Sequence, residues 1–169
     1  EVIVPCSTWI ATAHAAMLLG CKIVFVDVEE SKPIIDCSKI EEKITKRTKA
    51  IIPVHLNGRG VNLNDLEHIA KKYQLIIIED ACQALLSKNE QGYLGTLSTT
   101  GCFSLGMTKL LPTGQGGMVV TNKKDIYNDT FTKDREDFLE LKTKIQNIIS
   151  HFNHCAGKRK THLEEPNEF

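Results

Sequence analysis

No charge of either sign dominates this sequence. Lys plus Arg number 21 and Asp plus Glu number 21, so no net field draws the chain toward nucleic acid or an anionic membrane, and a metabolite is the expected partner. Long hydrophobic runs are missing as well. The apolar stretches are strand-sized, far short of the roughly 20 residues needed to span a bilayer, and no basic segment precedes a hydrophobic one at the N-terminus. The six cysteines, at 6, 21, 37, 82, 102 and 155, include no C-x-x-C pair. Most lie in apolar contexts, where cysteine behaves as a small hydrophobe, and the pattern points to a reducing cytoplasm. No G-x-G-x-x-G joins a strand to a helix, since "GRGVNL" and "GQGGMV" both miss that pattern, which argues against a dinucleotide-binding module. No initiator methionine opens the chain, and "EVIVPCSTW" begins inside a strand, so the chain is expected to be a fragment with sequence missing upstream.

What is present is ordinary globular composition, 41% hydrophobic and 25% charged over 169 residues, enough for one domain with a real core. Short, nearly continuous apolar runs at 2–5, 22–28, 50–55, 75–80, 100–105 and 118–121 read as strands buried on both faces. Helix-like segments separate the early ones: 8–19, alanine-rich and ending at Gly20; 38–44; and 62–73, with Asn62 or Asn64 as N-cap. The alternation predicts an α/β fold, a mainly parallel sheet with helices on both faces. Beyond residue 125 the chain is charged, and Phe138, Leu141, Ile145, Ile148 and Phe152 form the seam of an amphipathic helix. The expected organisation is therefore a domain over 1–125 followed by a helix and irregular tail over 126–169.

In open α/β sheets, ligands bind outside the carboxyl ends of the strands. One lysine there stands out. In "TGCFSLGMTKLLPTGQGGMVVTN", Lys109 lies between an apolar strand and a glycine-dense turn. Lysine beside apolar surface usually lays its stem along that surface with its head in water. A partly desolvated amine, however, has a lowered pKa and attacks carbonyls to form a Schiff base, which suits pyridoxal phosphate. Such a cofactor also needs a carboxylate for its pyridine nitrogen, donors for its phosphate and a flat surface for its ring. Asp80, ending "IIIED", could supply the first, Ser104 the second and Trp9, the sole tryptophan, the third. Gln83, three residues beyond Asp80, could turn its amide to the ring's phenolic oxygen if the segment turns helical there, and the glycines of "PTGQGG" would let the backbone pass close.

The order and spacing of these residues resemble the DegT/DnrJ/EryC1/StrS family of pyridoxal-phosphate-dependent sugar aminotransferases, of the aspartate aminotransferase fold (fold type I). The matching segments are "EVIVPCSTWIATAHAAMLLGCKIVFVDV", "TKRTKAIIPVHLNGRGVNLNDLEHIAKKYQLIIIEDACQA" and "GYLGTLSTTGCFSLGMTKLLPTGQGGMVVTN". The resemblance implies that Lys109 carries the cofactor and shuttles the substrate proton, and that Asp80 holds the pyridinium. It further implies that Gln83 faces the phenolic oxygen, Ser104 the phosphate and Trp9 the ring, with His55 supporting from behind. The reaction implied is transfer of an amino group from an amino acid, often glutamate, to a keto group of a nucleotide-linked sugar by a homodimer. A related branch dehydrates deoxysugars with histidine in place of the lysine, and Lys109 favours transfer.

Several features depart from the family pattern. The glycine-threonine or glycine-serine segment that cups the phosphate lies upstream of residue 1, Gln115 replaces an acidic residue, and no asparagine follows Lys109. The family's small C-terminal domain is not recognisable after about residue 125. Weak cofactor retention is therefore expected, and a non-catalytic homologue that pairs with an intact enzyme through the 138–152 helix is the alternative. His151, His154, Cys155 and His162 are residue types that bind zinc, but their spacing fits no closed four-ligand pattern, so no metal is expected.

Overall fold

The computed structural model describes residues 1–133. Its core is a six-stranded sheet made of β1 (Val2–Pro5), β2 (Ile23–Val26), β5 (Ala50–Ile51), β6 (Ile76–Asp80), β9 (Thr100–Ser104) and β10 (Gly117–Thr121). The spatial order is β10-β9-β6-β5-β1-β2. All pairings are parallel except β10 with β9, which is antiparallel. Two small hairpins, β3 (Val28–Glu29) with β4 (Lys32–Ile35) and β7 (Lys88–Asn89) with β8 (Gly92–Tyr93), stand outside the main sheet. Glu1–Tyr127 forms one compact unit.

Strand alternation divides the core between two helices. Ile3, Ile51 and Ile77 face α2 (Leu63–Tyr73), whose Leu63, Leu66, Ile69 and Ala70 complete that cluster. Val2, Val4, Ala50 and Ile52 face the other way and meet Ala13 and Ala16 of α1 (Ala11–Leu18). Leu63 and Leu66 are wholly buried, and each such side chain contributes about 1.5–3 kcal/mol relative to exposure. α2 is capped as its sequence suggests: Asn62 Oδ1 accepts from the Asp65 N–H, and Gln74 closes the helix at φ 55°. α1 ends at Gly20, whose φ of 76° lets its N–H and that of Cys21 return to Met17 and Ala16. α3 (Lys124–Lys133) follows β10.

Four expected elements differ in detail. The 22–28 run breaks at Asp27 into β2 of the main sheet and β3 of a separate hairpin. Residues 38–44 form two short 3-10 turns, Cys37–Lys39 and Glu41–Lys43, rather than an α-helix. So short a segment cannot sustain cooperative helix growth, and Asp36 diverts the Ser38 N–H to its own side chain. The 50–55 run keeps regular pairing only to Ile51, because Pro53 has no N–H to continue the ladder; its carbonyl still accepts from Asp80 N, and Val54 bridges Asp80. The first helix begins at Ala11 rather than at residue 8. The 138–152 helix and the 151–162 histidine and cysteine cluster lie outside the described residues.

The loop between β8 and β9 is pressed hard against the sheet. A Cβ on Gly101 would fall 1.7 Å from the Gly95 carbonyl oxygen. Gly95 itself, at φ 86°, has no room for a side chain beside Phe103 and Ala81. This approach brings the backbone of 95–98 over the end of β6.

Candidate active site

The carboxyl ends of β1, β5, β6 and β9 open into one cleft of about 590 Å³. Trp9 enters it from the loop after β1, Asn57 and Gly58 from the turn after β5, and Cys82, Gln83, Leu85 and Ser87 from the turns after β6. Ser104, at the end of β9, and the loop residues Thr108, Lys109 and Leu110 close the other side. Four of the five residues singled out from the sequence, Trp9, Gln83, Ser104 and Lys109, thus share one cleft, at the rim where parallel sheets bind ligands.

Asp80 lies immediately behind this wall. Its Oδ1 accepts from the Cys82 N–H at 3.1 Å, and its Oδ2 accepts from the Thr12 hydroxyl of α1 at 2.7 Å. Cys82 registers both Asp80 and Lys109. Burial is the main reason its thiol is pushed up to about 12; the Asp80 carboxylate adds to the rise, and the Lys109 ammonium opposes it. Cys82, whose N–H holds Asp80 Oδ1, lines the same cleft as Lys109, so the acid and the amine stand at one rim of the sheet.

The lysine is positioned by the β9–β10 loop. Lys109 N donates to the Gly106 carbonyl, while Leu105 exchanges bonds with Gly116 and Thr113 across the loop neck. Gly114 and Gly116, at φ 94° and 126°, supply backbone conformations that side chains disfavour. Gly106 separates Lys109 from Ser104, whose Oγ accepts the Gly106 N–H at 3.4 Å, leaving the hydroxyl proton to donate elsewhere. Lys109 is half-buried. Trp9 is 72% exposed, so its indole is free to be covered. Gln83 sits in a turn, not a helix; its Oε1 accepts from Asn57 N at 3.2 Å, a bond that makes no use of its amide N–H groups.

His55 does not enter the cleft. It is wholly buried, with Val61 N donating to Nδ1, so the ring proton resides on Nε2 and is donated to Glu79 Oε2 at 2.8 Å. Glu79 also accepts from the backbone N–H groups of Gly95, Leu97 and Ser98 and from the Ser98 hydroxyl. Burial pushes this carboxyl up, but the bonds from His55, Gly95 and Ser98 outweigh it and hold the group below the usual carboxylate range.

The sequence model of the DegT/DnrJ/EryC1/StrS aminotransferase family matches residues 1–136. The chain belongs to that family. It is 35% identical over its whole length to GDP-perosamine synthase of Escherichia coli O157:H7, covering 48% of that protein. It is 46% identical, over 72% of its own length and 33% of the relative's, to the UDP-N-acetyl-3-dehydro-alpha-D-glucosamine 3-aminotransferase of Acidithiobacillus ferrooxidans. Among solved structures, S. venezuelae DesV in complex with a ketimine intermediate matches with a TM-score of 0.73 and 36% identity, over 76% of this chain and 35% of that one. The chain thus spans between a third and half of the length of the curated relatives named here.

For this DegT/DnrJ/EryC1/StrS family member, sequence reasoning missed Thr12, Asn57, Gly58, Cys82, Ser87 and Thr108. Thr12 sits in an alanine-rich helix and reads as composition; its only signal was the four-residue spacing from Thr8. Asn57 and Gly58, at φ 54° and 75°, belong to a turn whose glycines signalled only a break in the chain. Among the described residues no cluster of His, Cys, Asp and Glu could hold a metal ion, and no helix is long and apolar enough to cross a membrane.

Proposed function

We propose that this chain supplies the cofactor-binding part, residues 1–125, of a pyridoxal-phosphate-dependent aminotransferase. The whole protein would be a cytoplasmic homodimer that moves an amino group from an amino acid, glutamate being the expected donor, to a keto group of a nucleotide-linked sugar. Neither nucleic acid nor membrane would be a partner. The observation that carries this reading is the meeting of Lys109, Ser104, Gln83 and Trp9 in one cleft with the doubly held Asp80 carboxylate behind it.

The donor set fits the cofactor. A fixed carboxylate, an amine, a hydroxyl and an exposed indole are the chemical types it needs. When bound, pyridoxal phosphate supplies an aldehyde that condenses with amines and a protonated ring that withdraws electrons. Asp80, held by the Thr12 hydroxyl and the Cys82 N–H, would keep the proton on the ring nitrogen. Ser104 Oγ would donate to the phosphate, and Gln83 Nε2 to the phenolic oxygen. Trp9 would cover the ring and exclude water from it. Lys109 Nζ would anchor the cofactor and, once displaced by the amino donor, take and return the proton at the substrate carbon. A histidine, as in the dehydrating branch, could not provide the anchoring amine.

The test is reconstitution of the chain with pyridoxal phosphate, followed by borohydride reduction and peptide mass analysis. The expected result is a visible absorbance band and a cofactor adduct on Lys109, both lost in Lys109→Ala. A band that survives Lys109→Ala would overturn the assignment, and the absence of any lysine-dependent band would favour a non-catalytic homologue.

A further inference from the structure

We infer that Thr12 is the positioning residue for Asp80, and that a hydroxyl chain from Thr8 through Thr12 ties this acid to the loop that carries Trp9. The inference rests on the reading that Asp80 faces the pyridine nitrogen.

The hydrogen bonding fixes its own direction. An ionised carboxylate only accepts, so the single Thr12 proton goes to Asp80 Oδ2, 2.7 Å away. Thr12 Oγ1 lies 2.9 Å from Thr8 Oγ1, and with its proton already donated it must accept from Thr8. The order is therefore Thr8 to Thr12 to Asp80, a chain in which each bond polarises the next.

Packing alone does not account for Thr12. It lies on the buried face of α1 with Ala13 and Ala16, against the apolar sheet. There a hydroxyl is costly unless it is bonded, and a β-branched residue is a weaker helix former than alanine. An alanine at this position would suit both helix and core, so the bond to Asp80 is what the hydroxyl contributes. With Cys82 N on Oδ1 and Thr12 on Oδ2, each carboxylate oxygen is tethered from a different element, α1 on one side and the turn after β6 on the other. The carboxylate plane is then set before any ligand arrives, which is the preorganisation an electrostatic partner requires. Thr8 immediately precedes Trp9, and the Trp9 carbonyl accepts the Thr12 N–H at 3.1 Å. One residue thus fixes both the acid and the loop of the expected stacking aromatic.

The experiment measures pyridoxal phosphate affinity from the lysine-dependent absorbance band, in the wild type, Thr12→Val, Thr12→Ala, Thr12→Ser and Thr8→Val, each also in an Asp80→Asn background. Thr12→Val and Thr12→Ala are expected to weaken binding about tenfold, equivalent to about 1.4 kcal/mol. Thr12→Ser should recover most of that loss, and Thr8→Val should give a smaller one. In Asp80→Asn the Thr12 changes should have no further effect, because the group they position is gone. The same non-additivity is expected in the melting temperatures of the cofactor-free proteins, a measurement that needs no bound ligand. Wild-type affinity in Thr12→Val, or losses that simply add to those of Asp80→Asn, would overturn this inference and leave the assignment of Lys109 standing. The absence of a Lys109-dependent band in the wild type would overturn both.

Discussion

His55 Nε2 donates to Glu79 Oε2 at 2.8 Å, with both side chains wholly removed from solvent. Neither touches the cleft, yet the next residue along the strand is Asp80. Consecutive residues of a strand face opposite sides of the sheet, so Glu79 turns toward the loop at 95–98 and Asp80 toward α1. One carboxylate holds the scaffold, and the other is the one to which the proposed function gives the ligand.

Glu79→Gln should therefore cost about 1–3 kcal/mol of stability at neutral pH, the usual penalty for leaving a buried donor unsatisfied, because an amide NH₂ would face N–H groups from which the carboxylate now accepts. The folded protein holds this carboxyl below the normal range. Its stabilisation is complete above the unfolded glutamate value of about 4.3 and disappears as pH falls through the lower folded value. Urea titrations of wild type and Glu79→Gln should differ most at pH 7 and converge in acid.

The Cys82 thiol, at about 12, should carry a thiolate fraction of about 10⁻⁴ at pH 8 and react slowly with iodoacetamide despite lining the cleft. Lys109→Ala should slow it further, since the ammonium is the group that pulls the thiol down. Site-resolved alkylation rates measured by mass spectrometry would register both effects.

On the proposed function, Asp80→Asn should lower transaminase activity by at least about a hundredfold, the lower end of what a positioned proton-handling group contributes. Far-ultraviolet circular dichroism should remain unchanged. Steady-state kinetics with the amino donor would detect the loss, and a variant within a few-fold of wild type would refute the role given to this acid.

Asn62→Ala removes the acceptor that caps α2 and should destabilise the protein by about 1 kcal/mol without altering cofactor affinity. Thermal melts and absorbance titrations on the same samples separate the two effects.

The inner strands were legible because burial on both faces leaves continuous apolar runs, whereas the edge strands β2 and β10 are apolar with Phe25, Met118 and Val119 exposed; Asn62 announced a helix start through its capping side chain and Gly20 a helix end through its positive φ. Lys109 was legible because an amine beside a glycine-rich turn is chemically conspicuous. The Thr12–Asp80 bond was not, since it joins residues 68 positions apart and nothing in an alanine-rich helix singles out one hydroxyl as having a distant partner. Nor was the full setting of Glu79: three of its donors are backbone N–H groups of Gly95, Leu97 and Ser98, which every sequence possesses and no sequence reveals. Residues 38–44 escape sequence reasoning for a similar reason, because a local side-chain bond from Asp36 decides between helix and 3-10 turn.

The contact between Gly101 and the Gly95 carbonyl gives a hydrogen atom the work of a seal. A single methyl at 101 would lift the loop that supplies Glu79 with its backbone partners and let solvent reach an anion distant along the chain. In a survey of random substitutions, Gly101→Ala, which changes no charge and removes no polar group, should, like Gly95→Ala on the other side of the same contact, resemble the loss of a buried hydrogen-bond network.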